Sequence, residues 1–220
     1  DDEALGHEVA SVLSLEKTML LEPGVNLDLL PLGDRKEARR ALGLDPELSV
    51  LSWLGPLDSA ARLDLLALTH RHLAGTALLV GGSGPSDGLI AAMTLATRPS
   101  APVIPVGPDT PAVAVTVGLA ADVTMTHSAD AARRLLALGR RVVTWAESEV
   151  VACAALYPND QVVFEAAPNS DSLRSAIEAA RTADQETPLS DAAVEAARGI
   201  VGHSVGARLG QVVLGLLGPK

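Results

Sequence analysis

The sequence predicts a doubly wound α/β domain built on a parallel sheet, and three observations carry that expectation. Short aliphatic runs alternate with helical patterns along the whole chain. Most of these runs are too short for helices, and several are flanked by Gly or Pro, which favours strands. Aromatic residues make up 2% of a chain that is 48% hydrophobic, so the core has to be built from Leu, Val, Ala and Ile. Branched aliphatic side chains suit a parallel sheet covered on both faces, and strand–helix–strand alternation implies right-handed crossovers.

The β-like runs are Thr18–Leu21, Ser49–Leu54, Ala77–Val80, Val103–Val106, Val123–Thr126, Arg141–Thr144 and Gln161–Phe164. Asp34 is placed to cap a first helix, with Glu37 completing a capping box and Gly43 near the end. Further helical stretches run over Ser59–His70, Asp87–Ala96, Ala129–Leu138, Glu149–Leu156 and Ser170–Thr182. Two closing C-terminal helices, about Asp191–Ile200 and Ser204–Leu217, have no strand between them and are expected to cross the sheet or reach toward a partner domain. Residues 1–220 read as one domain, without internal repeat or low-complexity segment, and Arg98–Pro102 reads as a loop.

Composition narrows the function. The formal net charge is −10 with no long basic run, which argues against binding a nucleic-acid backbone, and the scarcity of aromatics argues against a base-stacking platform. The mean hydropathy is +0.27, yet no apolar stretch approaches the ~20 residues that span a bilayer. The lone Cys153 closes no intramolecular disulfide, which fits a reducing, cytoplasmic setting or a small buried hydrophobe. Asp1-Asp2-Glu3 does not begin a signal peptide and suggests a piece of a longer protein.

Eight short motifs, in order, resemble the C-terminal, nucleotide-sugar-binding half of GT-B glycosyltransferases, in particular the retaining family 4 (group 1). Glu22–Asp28 resembles the family's "PNGVD" turn and Arg39–Leu44 its "R..LGL" helix. Ser52–Leu57 sits where the family has "FVGRL", and Leu79–Pro85 resembles "IVGDGP". Val103–Gly107, Leu119–Ser128 and Leu136–Val143 resemble "V.F.G", "AADVFVLPS" and "ALGRPVV", and His203–Val205 falls at the closing "FSW". The resemblance implies a Rossmann-like half-domain that takes a nucleotide sugar as substrate, needs no metal or other cofactor, and works with an N-terminal acceptor domain absent from this chain. It places the donor at the carboxyl ends of the strands, near Gly55, Arg62, Gly82, Ser83, Gly84, Gly107, His127 and Asp130.

The chain departs from the family at three places that concern the same ligand. The Arg and Lys that grip the donor pyrophosphate correspond to Pro56 and Ala61, leaving Arg62 either as a displaced substitute or as a solvated helix charge. The "EGFG…E" segment is shortened to Ser128–Gly139: its Gly-Phe-Gly loop is absent and its second glutamate falls near Arg134. Asp130 remains as a carboxylate, either for a ligand or for the positive end of its own helix. A glycine pair after Val143 is replaced by Trp145–Glu149, whose acids repel a pyrophosphate by ~1 kcal/mol at contact even in high dielectric. Glu149 can instead cap its own helix.

Gly82-Ser83-Gly84 reads either as a phosphate-approaching loop or as an ordinary tight turn. His70 and His72 do not share a helix face as i,i+4 metal ligands would, and His127 lies at a strand's carboxyl end, where ligand pockets form. There is no zinc-like His/Cys cluster and no Gly-x-Ser-x-Gly elbow. Three functions follow: the donor-binding half of a glycosyltransferase, a non-catalytic binding or assembly module of the same fold, and another doubly wound binder such as a response-regulator-like or epimerase-like domain.

Overall fold

The computed structural model describes residues 34–96, 100–156, 161–186 and residue 189. The expected strand Thr18–Leu21, the Glu22–Asp28 turn, the closing helices and His203 lie outside the described residues. The strands are β1 (Ser49–Leu54), β2 (Thr76–Gly81), β3 (Val103–Gly107), β4 (Val123–Met125), β5 (Val142–Trp145) and β6 (Val163–Ala166). The helices are α1 (Arg35–Ala41), α2 (Leu63–His72), α3 (Asp87–Leu95), α4 (Pro111–Ala120), α5 (Ala129–Ala137) and α6 (Ser170–Glu186). Short 3-10 helices cover Ser59–Ala61 and Glu149–Leu156.

All described strands run parallel in one sheet of order β3-β2-β1-β4-β5-β6. The winding reverses between β1 and β4. This is the doubly wound, Rossmann-like arrangement that the sequence predicts, with six of the seven expected runs as strands.

Alternation along each strand splits the core into two layers. Leu51 and Trp53 of β1 point to the face covered by α2, α3 and α6, where they pack with Leu66, Ile90, Leu173 and Ile177. Val50 and Leu54 point to the other face, covered by α1, α4 and α5. Trp53, Leu66, Leu78 and Leu173 have no exposed surface, and burying a side chain of this kind stabilises the fold by about 1.5–3 kcal/mol.

Helix α4 is not among the helices expected from the sequence. Pro-Ala-Val-Ala-Val-Thr-Val-Gly-Leu-Ala has no amphipathic stripe and is rich in β-branched residues, so its period is illegible. Its start is nonetheless conventional: the Thr110 hydroxyl accepts from the Val113 amide, and Pro111 occupies the first turn. The stretch expected as one helix over Ser59–His70 is broken at Arg62, whose φ of 48° is left-handed. Asp34 caps α1 as expected, although its carboxylate accepts from the Lys36 amide and not from that of Glu37.

Two of the family-like motifs meet in space. Arg39, buried in α1, bonds through Nη2 to Asp122 Oδ1 at 2.7 Å, through Nε to the Ala120 carbonyl and through Nη1 to the Pro46 carbonyl. The other Asp122 oxygen accepts from the Val50 amide at the start of β1. One carboxylate therefore ties α1, β1 and the α4–β4 turn together at the amino rim of the sheet.

His70 is buried at the end of α2 and donates through Nε2 to the Thr76 carbonyl at 2.7 Å, so the neutral tautomer carries its proton there. Burial depresses its pKa below 6.5, and the Thr76 bond opposes that shift only in part. A depressed histidine pKa contributes stability above the unfolded value that is lost as pH falls through the folded one. Stability is expected to drop as pH is lowered from about 6.5, and His70→Gln should flatten that part of a urea-midpoint-against-pH profile.

Candidate functional site

The carboxyl ends of β1, β2, β3, β4 and β5 lead into loops on one rim, and the crevice at a reversal of strand order is where doubly wound folds take ligands. Here the reversal lies between the loop after β1 and the loop after β4. A side chain at Gly55 would meet Thr126 Oγ1 at 3.1 Å and Ser128 Cβ at 3.6 Å, so these two loops are in close contact. Asp58 of the first loop lies 3.3 Å from His127 Nε2 of the second and spans the reversal point.

The glycine turn after β2 packs on its neighbour. A Cβ at Gly82 would lie 2.0 Å from the Gly55 carbonyl oxygen, and one at Gly84 would lie 2.7 Å from that of Leu57. Gly82 donates its amide to the Gly107 carbonyl, Leu57 donates to Ser83 and Ser86 donates to Leu57. Packing between adjacent loops accounts for glycine at positions 82 and 84. Ser83 between them is exposed, and the Gly84 amide is met by Asp87 Oδ1 at 3.0 Å.

Arg62 stands where the broken helix restarts and pairs with Glu147 of the β5 loop at 2.9 Å. Both groups are well exposed, so the pair contributes little to stability. Ala61, at the position of the family's lysine, is fully buried, and its carbonyl accepts from Trp145 Nε1. Pro56 is exposed and offers no charge.

Asp130 lies in the first turn of α5 and pairs with Arg134, which also bonds Asp109 at 2.9 Å. Burial pushes the Asp109 carboxyl above its ordinary range; Arg134 opposes that rise and Asp130 adds to it. Glu149 does not cap its own 3-10 helix. Its Oε1 accepts from the Ala129 amide, so it caps α5 beside Ser128, whose hydroxyl accepts from Ala131. Both basic side chains of this rim discussed so far, Arg62 and Arg134, are therefore engaged by the chain's own carboxylates.

Two residues that sequence reasoning did not single out complete the picture. Trp53, fully buried at the end of β1, stacks on His127 with ring centroids 5.4 Å apart. Among the described residues, neither Trp53 Nε1 nor His127 Nδ1 has a hydrogen-bond partner, although both atoms are buried. Asp58 holds its loop by accepting from the amides of Ala60 and Ala61, a capping pattern legible in Asp-Ser-Ala-Ala. Nothing in the sequence announces that Trp53 and His127 meet, because the strands that bring them together pair residues 72 positions apart, as Trp53 with Met125, and only the sheet order makes them neighbours. No group of three or more His, Cys, Asp or Glu residues suited to a metal occurs among the described residues. No helix among them is long and apolar enough to cross a membrane.

No family model matches the chain. It is 38% identical over 72 residues to a D-inositol 3-phosphate glycosyltransferase of Mycobacterium sp. (strain KMS), a match covering 33% of this chain and 16% of that protein. Among solved structures it superposes on sucrose-phosphate synthase from Thermosynechococcus elongatus with a TM-score of 0.67 at 20% identity, covering 97% of this chain and 57% of the other. A glycosyltransferase from Rickettsia africae gives 0.64 at 15% identity, covering 94% and 61%. The chain thus has the Rossmann-like fold of a GT-B glycosyltransferase half, and its sequence is similar to a glycosyltransferase over a third of its length. It spans little more than half of the solved proteins it resembles.

Proposed function

We propose that this chain is the donor-side half of a group 1 glycosyltransferase, with a nucleotide sugar bound over the reversal point between β1 and β4. The observation that carries this reading is the convergence of the loops holding Gly55, Arg62, Gly82 and His127 on that one crevice. In such a half the sugar nucleotide lies across the carboxyl ends of β1 and β4, and a second, N-terminal domain supplies the acceptor. Among the described residues, the buried Trp53 Nε1 and His127 Nδ1 have unused hydrogen-bonding capacity beside it. Leaving-group charge would have to be met by helix N-termini and by Arg62 or Arg134 after release from their carboxylates. The reading requires no metal and is compatible with a cytoplasmic setting.

A second reading, a non-catalytic module of the same fold, is favoured by a specific observation. Among the described residues, Asp58, Asp87, Asp109, Asp130, Glu147 and Glu149 occupy the loops and helix starts of this rim, beside Arg62, Arg134 and His127. Calorimetric titration of the full-length protein with UDP-, GDP- and ADP-sugars separates the two. Binding that weakens in His127→Ala supports the donor site. Absence of heat at millimolar ligand removes it and leaves the module.

A further inference from the structure

Three consecutive residues of the β5 loop lie against both sides of the reversal point. Glu147 pairs with Arg62 at the start of α2, at 2.9 Å. Ser148 donates its hydroxyl to the His127 carbonyl of the β4 loop at 3.0 Å. Glu149 accepts from the Ala129 amide, the first of α5, also at 3.0 Å. The root of the loop is fixed independently: the Trp145 indole donates to the Ala61 carbonyl, and the Ser148 amide donates back to the Trp145 carbonyl.

The two carboxylates do little to hold that arrangement. Glu147 keeps 70% of its side chain exposed and Arg62 keeps 37%, and an ion pair at such exposure contributes little to stability. Glu149 is exposed as well, and the Ser128 hydroxyl already serves the Ala131 amide in the same turn of α5. What the carboxylates do is place one negative charge on a guanidinium and another on the positive end of a helix. Those are the two kinds of group that take phosphate oxygens.

We propose that this loop is an autoinhibitory strap on the donor crevice, with Glu147 at Arg62 and Glu149 at the amino end of α5 standing where phosphate oxygens of a nucleoside diphosphate would bind. The proposal rests on the donor reading and adds to it a competitor carried by the chain itself. A diphosphate entering the crevice displaces both carboxylates and then stands beside them, and each unit charge at contact distance weakens its binding by about 5-fold even in water. The strap lowers affinity for phosphate-bearing ligands and leaves that for an uncharged nucleoside alone.

The test is calorimetric titration of the full-length protein with UDP, GDP and ADP, and with uridine and adenosine as uncharged references. Glutamine at position 149 keeps an oxygen for the Ala129 amide while removing the charge. Glu147→Gln combined with Glu149→Gln should bind a nucleoside diphosphate about 10-fold more tightly than the parent protein and the nucleosides no better than it does. Glu147→Gln alone breaks only the exposed pair; it should gain about 3–5-fold, and the gain should vanish when Arg62→Ala is added. Glu47→Gln combined with Glu178→Gln removes the same charge from exposed positions away from this rim and should change affinity by less than about 2-fold. Diphosphate affinity that is unchanged or weaker without the two strap charges overturns the strap and leaves the donor site standing. An equal gain in the Glu47 and Glu178 variant does the same. Binding that appears only once the strap is neutralised upholds both. No heat from any diphosphate in any variant removes the donor reading and the strap together.

Discussion

Asp122→Ala is expected to lower the unfolding free energy of this domain by about 3–5 kcal/mol, read as a lower urea midpoint with an unchanged slope. The loss is larger than that of one ion pair. Arg39 has 6% of its side chain exposed and keeps its bonds to the Ala120 and Pro46 carbonyls, so removing Asp122 leaves a buried cation without its counter-charge. The Val50 amide loses its acceptor at the same time, at the first hydrogen bond of the central strand. Arg39→Leu alone should cost less, because Asp122 retains Arg35 and the Val50 amide. The double variant should be less destabilised than the sum of the singles, and the difference measures the pair. Additivity would mean that the two residues fold independently, contrary to the 2.7 Å contact.

This pair also shows what was legible in the sequence. Arg39 and Asp122 fall in motifs that resemble "R..LGL" and "AADVFVLPS", and recognising those motifs placed both residues without saying that they touch. Strands were legible because a parallel sheet buried on both faces gives short, uninterrupted aliphatic runs with abrupt ends. Their limits moved by one or two residues: β5 begins at Val142, and β6 begins at Val163, not at Gln161. Helix α4 was missed for the converse reason. Covered on most sides, it has no polar face, and its Val-x-Val-x-Val spacing imitates a strand.

The candidate site was legible as a place more than as a chemistry. Gly55, Gly82, Gly84, Gly107 and His127 were assigned to one rim, and the loops that hold them do lie together. Which charges neutralise one another was not legible. Arg62 meets Glu147 across 85 positions and Arg134 meets Asp109 across 25, and neither separation follows a helical or strand period. Glu149 illustrates the same limit, since it caps the start of a neighbouring helix instead of its own. Local capping rules identify the residue type, and only the packing of α5 against the β5 loop identifies the amide it serves.

The strongest steric claim concerns the turn after β2. Gly82→Ala is expected to cost about 3 kcal/mol or more, because the added methyl would lie 2.0 Å from the Gly55 carbonyl oxygen at a φ of +153°. Neither side can retreat easily. Gly55 donates to the Gly81 carbonyl, Gly82 donates to Gly107, and Leu57 donates to Ser83, so the three loops are stitched backbone to backbone. Gly88→Ala is the matched control, since nothing lies within 4 Å of its added Cβ and the position is helical. It should be neutral or stabilising by up to about 1 kcal/mol. Urea unfolding of both variants reads the contrast. If Gly82→Ala and Gly88→Ala behave alike, the loops do not approach as closely as described, and glycine at position 82 must be explained by a ligand instead of by the neighbouring strand. If they differ as expected, sugar-nucleotide affinity in Gly82→Ala should be measured only under conditions where the variant is folded, because loss of binding would otherwise report the loop packing alone.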